Sequence, residues 1–326
     1  MNTRACLGVL CLCGVVSLNV GCRGGAQPKP ADEGSVIQRG ALPAYDAVAN
    51  GYNRRVTHLE RLEALVALNV TAVNQKGEQI SNQVEGNLKV MLPASVSLRV
   101  DKVGKPVFYL GSNEQQYWWI DLTQDPKVAM VGAHAKATPE AVNDFGIPVH
   151  PMDLIEVLAI KPLPQPGSDE AHQARLAWSA NGRALVVTLP GRWGERRFSL
   201  HPETFAPIRI ELLDGQGSTV VSCVHTDFQP VEVVGNTTVR PQVTKRIDLS
   251  LPVQKATVTV SVYEPRNPGQ ELRVQVFNLQ AVLQNFNIRN VVDIDQARAQ
   301  NQDPAPAAGE RPSAGVLTPT PGAEKR

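Results

Sequence analysis

VEGNLKVMLPASVSLRVDKVGKPVFYLGSNEQQYWWIDL, residues 84–122, holds four short extended segments in close succession. Val84–Leu92, Val96–Val100, Val107–Leu110 and Tyr117–Leu122 are rich in β-branched and aromatic residues, which suit a pleated, half-buried surface. Pro93, Lys102–Pro106 and Gly111–Glu114 separate them with turn chemistry. Connections this short join antiparallel neighbours, because a parallel pair needs a crossover of a dozen or more residues. The stretch therefore reads as an antiparallel meander.

Outward from it the pattern continues. Val66–Val73 alternates toward a hairpin loop at Asn74–Glu78, and Val128–Val131 follows the aromatic strand. Leu176–Ala180 and Ala184–Leu189 flank Asn181-Gly182, a strong two-residue hairpin signal. Arg196–Leu200, Pro207–Leu213, Ser218–Phe228, Val239–Leu249 and Ala256–Tyr263 read as further strands, and Phe277–Leu283 as a strand or a short helix. Two helices interrupt the series. Tyr45, Val48, Tyr52 and Val56 form one apolar stripe on a helix from 43 to near 61, and Pro151 opens a second helix through Leu154, Ile155 and Leu158. The fold class is mainly β with a few helices (α+β). It is expected as one large curved antiparallel sheet or half-barrel, wrapping a core or an apolar cavity, with an N-terminal helix and a helical lid.

The N-terminus is of another kind. Arg4 precedes an apolar run from Ala5 to Val20, and polarity changes at Arg23. A basic start, an apolar centre shorter than a membrane span and a small residue before the cut describe a secretory signal. Val20-Gly21-Cys22 resembles the end of bacterial lipoprotein signals. In that family the cysteine is diacylated and becomes the mature N-terminus. The resemblance implies residues 1–21 as signal peptide and Cys22 as the lipidation site. Membrane lipid is then the first partner, through the acylated (palmitate-type) N-terminus. An ordinary secretory signal cut near Gly21 or Gly24 and an uncleaved anchor are the alternatives. The anchor is expected in the cell membrane or the outer membrane, with the domain facing the periplasm; where the sorting rule of Gram-negative systems applies, Arg23 rather than aspartate after the cysteine implies the outer membrane.

The expected organisation is a flexible tether at 22–40, rich in Gly, Pro, Ala and charge, then a domain at 41–290. A disordered tail at 291–326 follows, dominated from Ala297 by Ala, Pro, Gln, Gly and charge. Formal net charge is +1, so no nucleic-acid partner is implied. Of five cysteines, only Cys22 and Cys223 follow the signal. A lipidated Cys22 leaves no intramolecular disulfide, and Cys223, between Val220 and Val224, reads as a core residue.

Within roughly 43–230, the element order resembles the LolA/LolB-like superfamily of lipoprotein carriers. The residues that carry it are the leading helix, Gly86–Pro93, Ser97–Val100, Gly111–Asn113 leading into Tyr117–Asp121, Phe198–Leu200, Pro207–Ile210 and the turn Asp214-Gly215. The resemblance implies a curved half-barrel with a hydrophobic cavity for acyl chains. The family's cavity arginine has no matching motif here.

Nothing in the sequence supports catalysis. The six histidines lack metal spacing, and no nucleophile elbow, phosphate loop or dinucleotide fingerprint occurs. No metal or other cofactor is expected. Asp121 with Asp125, and Asp144 with Asp153, read as solvated loop acids. Trp118 and Trp119 are the remaining chemical concentration. Tyr117 and Trp119 share one strand face and Trp118 takes the other, so one face is expected as core and the other as covered by a helix, or as the wall of a cavity. Leu98, Val100, Phe108, Leu110, Trp118 and Trp119 are the candidate cavity lining. Arg192, Trp193, Arg196 and Arg197 form a basic turn, expected either solvated or in contact with membrane headgroups. The expected function is a membrane-anchored envelope lipoprotein binding a lipid or acyl chain. The alternative is a structural or protein-interaction lipoprotein with a filled core.

Overall fold

The computed structural model describes residues 37, 39–73, 77–144, 149–236, 238 and 240–302. Cys22, the signal, most of the tether and the chain beyond 302 lie outside the described residues.

Helix α1 spans Tyr45–Val56 and buries Val48, Ala49, Tyr52 and Val56, close to the stripe read from the sequence. The first meander follows: β1 (Arg61–Val73), β2 (Gln79–Met91), β3 (Ser95–Lys102), β4 (Lys105–Ser112), β5 (Gln116–Asp121) and β6 (Val128–Ala133). Three short helices come next: α2 (Pro139–Asp144), α3 (Pro151–Val157) and α4 (Asp169–His172). Pro151 sits in the first turn of α3, and the His150 ring caps it by accepting from Met152 N. The second meander is β7 (Arg175–Trp178), β8 (Leu185–Pro190), β9 (Gly194–Leu200), β10 (Pro207–Asp214) and β11 (Thr219–Pro230). The two-residue strand β12 (Glu232–Val233) leads to the hairpin of β13 (Gln242–Leu251) and β14 (Ala256–Asn267). Helix α5 (Leu279–Asn285), β15 (Asn290–Asp293) and α6 (Ile294–Gln302) complete the described chain.

All the strands among the described residues join one sheet, ordered β15-β6-β5-β4-β3-β2-β1-β14-β13-β11-β10-β9-β8-β7, with β12 beside β14. The path ends at β15 and β7 without closing, so the architecture is a half-barrel. The β13–β14 hairpin is the splice between the meanders, pairing with β11 on one side and β1 on the other. Pairing is antiparallel within the meanders, while β15·β6 and β12·β14 are parallel and make the sheet mixed.

Two expectations shift. The hairpin at Asn181-Gly182 exists, but β7 and β8 begin pairing only at Trp178↔Leu185, so the connection is longer than two residues. Asn181 Oδ1 accepts from Arg183 N and Ser179 Oγ, which organises the wider turn. A side chain at Gly182 would start 2.0 Å from Ile37 O, so only glycine admits the incoming chain there. Ile37 N also donates to Asn181 O, and Trp178 Nε1 to Gly40 O. The chain thus enters the domain at the β7–β8 turn.

The second shift is at the far end, where the fold runs past 290. Residues 290–293 form a ladder with β6, and Ile294 is 1% exposed in a cluster with Tyr117, Met130 and Val142. Asp295 Oδ2 accepts from Ala133 N at 2.9 Å. A four-residue strand leading straight into a polar helix gives no period to read. Ile294→Ala is expected to cost about 2–5 kcal/mol, measured by urea unfolding. A loss near zero would place β15 and α6 outside the cooperative unit.

Candidate functional site

The register decides what faces inward. Val66, Leu68 and Val70 of β1 oppose Gly86, Val84 and Asn82 of β2. Leu98 and Val100 of β3 oppose Leu110 and Phe108 of β4, and Leu110 opposes Trp119 of β5. Leu98, Val100, Phe108, Leu110 and Trp119 therefore share the concave face. Trp118 does not. It faces outward with Tyr109, Ile120 and Ala129, sealed under Leu279, Val282 and Leu283 of α5. Gly111, directly opposite, makes room for it, since a Cβ there would lie 2.3 Å from Trp118 Nε1. The helix cover expected for one face of the aromatic strand is α5, a segment that the sequence left open between strand and helix.

The middle of the concave face is closed. Helix α1 and the segment after α3 lie across it, joined by polar side chains. Asn53 holds Leu163 in both directions, Nδ2 to O at 2.9 Å and Oδ1 from N at 2.7 Å. Tyr52 Oη donates to Ala159 O and Tyr45 Oη to Pro164 O. Tyr52, Ile155, Ile160 and Leu163 are fully buried there. Toward the other end the cover thins. Phe108 and Trp119 stack with centroids 4.8 Å apart and planes at 13°, and both are only half-buried. Val70, Val84, Leu154 and Val258 are half-buried around the same face.

The basic turn departs from the exposed contact expected of it. Strand alternation sends Arg196 inward, where its guanidinium binds both oxygens of Glu156 at 2.7 and 2.9 Å and also Glu170. Trp193 is half-buried and donates from Nε1 to Asp153 Oδ2 at 2.8 Å. Arg197 lies 3.7 Å from Glu211. Among the four, Arg192 is the exposed one. Asp153, read from the sequence as a solvated acid, is buried at the base of this turn, and burial pushes its carboxyl up to about 7. Met152, Asp153, Arg192, Trp193 and Arg196 border a cavity of about 250 Å³.

Beside it, the rings of Tyr117, His134, His150 and Trp193 form one group with successive centroids 4.5–5.8 Å apart. His134 Nε2 meets Asn113 O at 2.7 Å, which leaves Nδ1 as a lone-pair acceptor. His150 Nδ1 already accepts the α3 cap, so its Nε2 carries the proton. The two rings thus offer one acceptor and one donor, and His150 has no lone pair for a metal. Among the described residues no His, Cys, Asp and Glu cluster of metal-binding size occurs. Burial lowers both histidines below their ordinary range, His150 strongly.

One further arrangement has the outline of a catalytic triad. Cys223 Sγ lies 3.4 Å from His225 Nε2, and His225 Nδ1 lies 2.8 Å from Thr244 Oγ1. All three are buried. Burial pushes the thiol up to about 12 and the imidazole down to about 3, so thiolate and imidazolium are both disfavoured. Cys223 is a core residue.

No family model matches the chain, and no curated protein does. Solved structures resemble its fold. A LolA superfamily protein from Nitrosomonas europaea aligns over 73% of this chain and 99% of its own, at 9% identity and a TM-score of 0.47. A domain described as an outer membrane lipoprotein-sorting protein, from Vibrio parahaemolyticus, aligns over 72% and 97%, at 10% identity and 0.46. A DUF1329 family protein from Desulfovibrio piger aligns over 72% and 99%, at 11% identity and 0.44. These are likenesses of fold.

Proposed function

We propose that this domain binds a lipid acyl chain on its concave face, in the cell envelope, held to a membrane by lipid on Cys22. The observation that carries the reading is the stacked, half-covered Phe108–Trp119 pair at the thinly covered end of an apolar curved sheet. An aromatic pair left part-open on a face that also carries half-buried Val70, Val84 and Val258 is apolar surface for which a soluble core has no need. It suits a flexible hydrocarbon, which needs contact area and no directed hydrogen bonds. Binding by shape, without catalysis, also agrees with the inert state of Cys223 and His225.

Trp119→Glu tests it. The new carboxylate has an open side to face, so the domain is expected to keep its fold by circular dichroism while uptake of a fluorescent fatty acid falls at least about tenfold. That factor corresponds to losing roughly 1.4 kcal/mol of apolar contact. Unchanged uptake, or none by the parent protein, counts against the site.

The second reading is a structural or protein-interaction lipoprotein. The observation favouring it is the closed middle of the face, filled by Tyr52, Ile155, Ile160 and Leu163. Native mass spectrometry of the non-lipidated chain separates the two: co-purifying or added lipid retained on the protein supports the first, a bare protein mass the second.

A further inference from the structure

The cavity of about 250 Å³ beside the β8–β9 turn is bordered by α3 and α4, by Pro190–Trp193 and by the end of β10. Met152, Pro190, Leu212 and Leu213 supply apolar wall. At about 30 Å³ per water, it has room for roughly eight waters. That is the size of a small solute rather than of an acyl chain.

The charged part of the wall is almost entirely paired off. Arg196 binds Glu156 and Glu170, Lys161 binds Glu156, and Arg175 holds Glu195. Two charged groups of the wall are left over. Asp153 is 5% exposed, and its Oδ2 accepts from the neutral Trp193 Nε1–H. Among the described residues it has no cation in ion-pair contact. Arg192, exposed on the turn, likewise has no carboxylate in contact there, and its guanidinium lies 5.6 Å from the centre of the Trp193 ring. One indole therefore has a carboxyl at its N–H edge and a guanidinium over its face, within electrostatic reach of each other but not joined.

Packing does not require the carboxyl. Holding Trp193 Nε1 takes one oxygen, which asparagine also has, and an unpaired buried carboxylate costs stability. Stability given up at a cavity wall is what a binding site characteristically shows.

We propose that this cavity binds a small zwitterion, its ammonium on Asp153 and its anionic group toward Arg192. The ammonium supplies the cation that Asp153 lacks, at a position withdrawn from water. The width of the indole keeps the two protein charges apart. That spacing suits an ammonium and a phosphate joined by a two-carbon link better than an α-amino acid, whose two charged groups share one carbon. The aminoethyl phosphate unit exists both as a free solute and as a lipid head. The site is separate from the Phe108–Trp119 stack and does not rest on the acyl-chain reading.

The test is isothermal titration calorimetry of the full chain carrying Cys22→Ala with O-phosphoethanolamine. This parent chain is expected to bind it, and to bind glycine or ethyl phosphate at least about tenfold more weakly. Asp153→Asn is expected to lower affinity for O-phosphoethanolamine by at least about tenfold. Because that variant is expected to be as stable as the parent or more so, unfolding does not account for the loss. Arg192→Gln, at an exposed position, is expected to lower affinity about threefold. Trp119→Glu is expected to leave it unchanged, so this reading and the acyl-chain reading fail separately. Lysophosphatidylethanolamine bound more tightly than O-phosphoethanolamine, with the same dependence on Asp153, assigns the lipid head; equal or weaker binding assigns the free solute. No binding of either by the parent chain, or binding that Asp153→Asn leaves intact, overturns the proposal.

Discussion

Arg196→Met is expected to destabilise the domain by about 3–5 kcal/mol in urea unfolding at neutral pH, the cost of leaving a buried charge without its partner. The Arg196 side chain is 4% exposed and that of Glu156 is 14% exposed, so Glu156 has little water to fall back on. Lys161 Nζ, at 2.9 Å, would remain as its one cation. Glu170 is half-open to solvent and suffers less. Adding Glu156→Gln to Arg196→Met removes the stranded charge and is expected to recover most of the loss, because replacing both members of a buried pair is often neutral. A single-variant loss below about 1 kcal/mol, or no recovery in the double variant, would mean that solvent already reaches the pair.

The second large effect depends on pH. Burial raises the Asp153 carboxyl from its ordinary 3.8 to about 7, only partly offset by the Trp193 hydrogen bond and Arg192. The folded state therefore holds this proton more tightly than the unfolded chain. Its contribution to stability is complete below about pH 4 and is lost as pH rises toward 7, by up to roughly 4 kcal/mol. Asp153→Asn keeps the size and an oxygen for Trp193 Nε1, but cannot ionise. It is expected to match the parent within about 1 kcal/mol at pH 4.5 and to exceed it by several at pH 8. His134, His150 and His225 act in the opposite sense, since the unfolded chain protonates them first as pH falls below 6.5. Both proteins share those groups, so the difference between the two curves isolates Asp153. Parallel curves from pH 4.5 to 8 would show that Asp153 is ionised in the fold throughout.

These two residues mark where the sequence ceased to be legible. The meanders were readable because β-branched runs, Pro93 and Val103-Gly104 act locally: each strand is paired with the next by a short turn. The apolar side of residues 96–119 followed from alternation alone, which placed Trp118 and Trp119 on opposite faces. Arg196 was misread as exposed because its neighbours Arg192 and Arg197 are polar. Its partners, Glu156 and Glu170, lie 40 and 26 residues away, and no local pattern announces them. Asp153 was misread for the same reason, since Trp193 reaches it from another hairpin. The splice of β13–β14 between β11 and β1, and the parallel ladder of β15, depend on long-range pairing that periodicity cannot assign.

The pinned point at Ile37 sets a length scale. Residues 22–36 number 15 and span at most about 50 Å when extended. Strand β1, with 13 residues, is roughly 43 Å long. If Cys22 holds the chain to one leaflet, that span is just long enough for the molecule to lie back along its own anchoring surface. When it stands upright, the β8–β9 turn at the far end of β8 is carried away from that surface. Shortening residues 22–36 by about half would remove the first posture and keep the second.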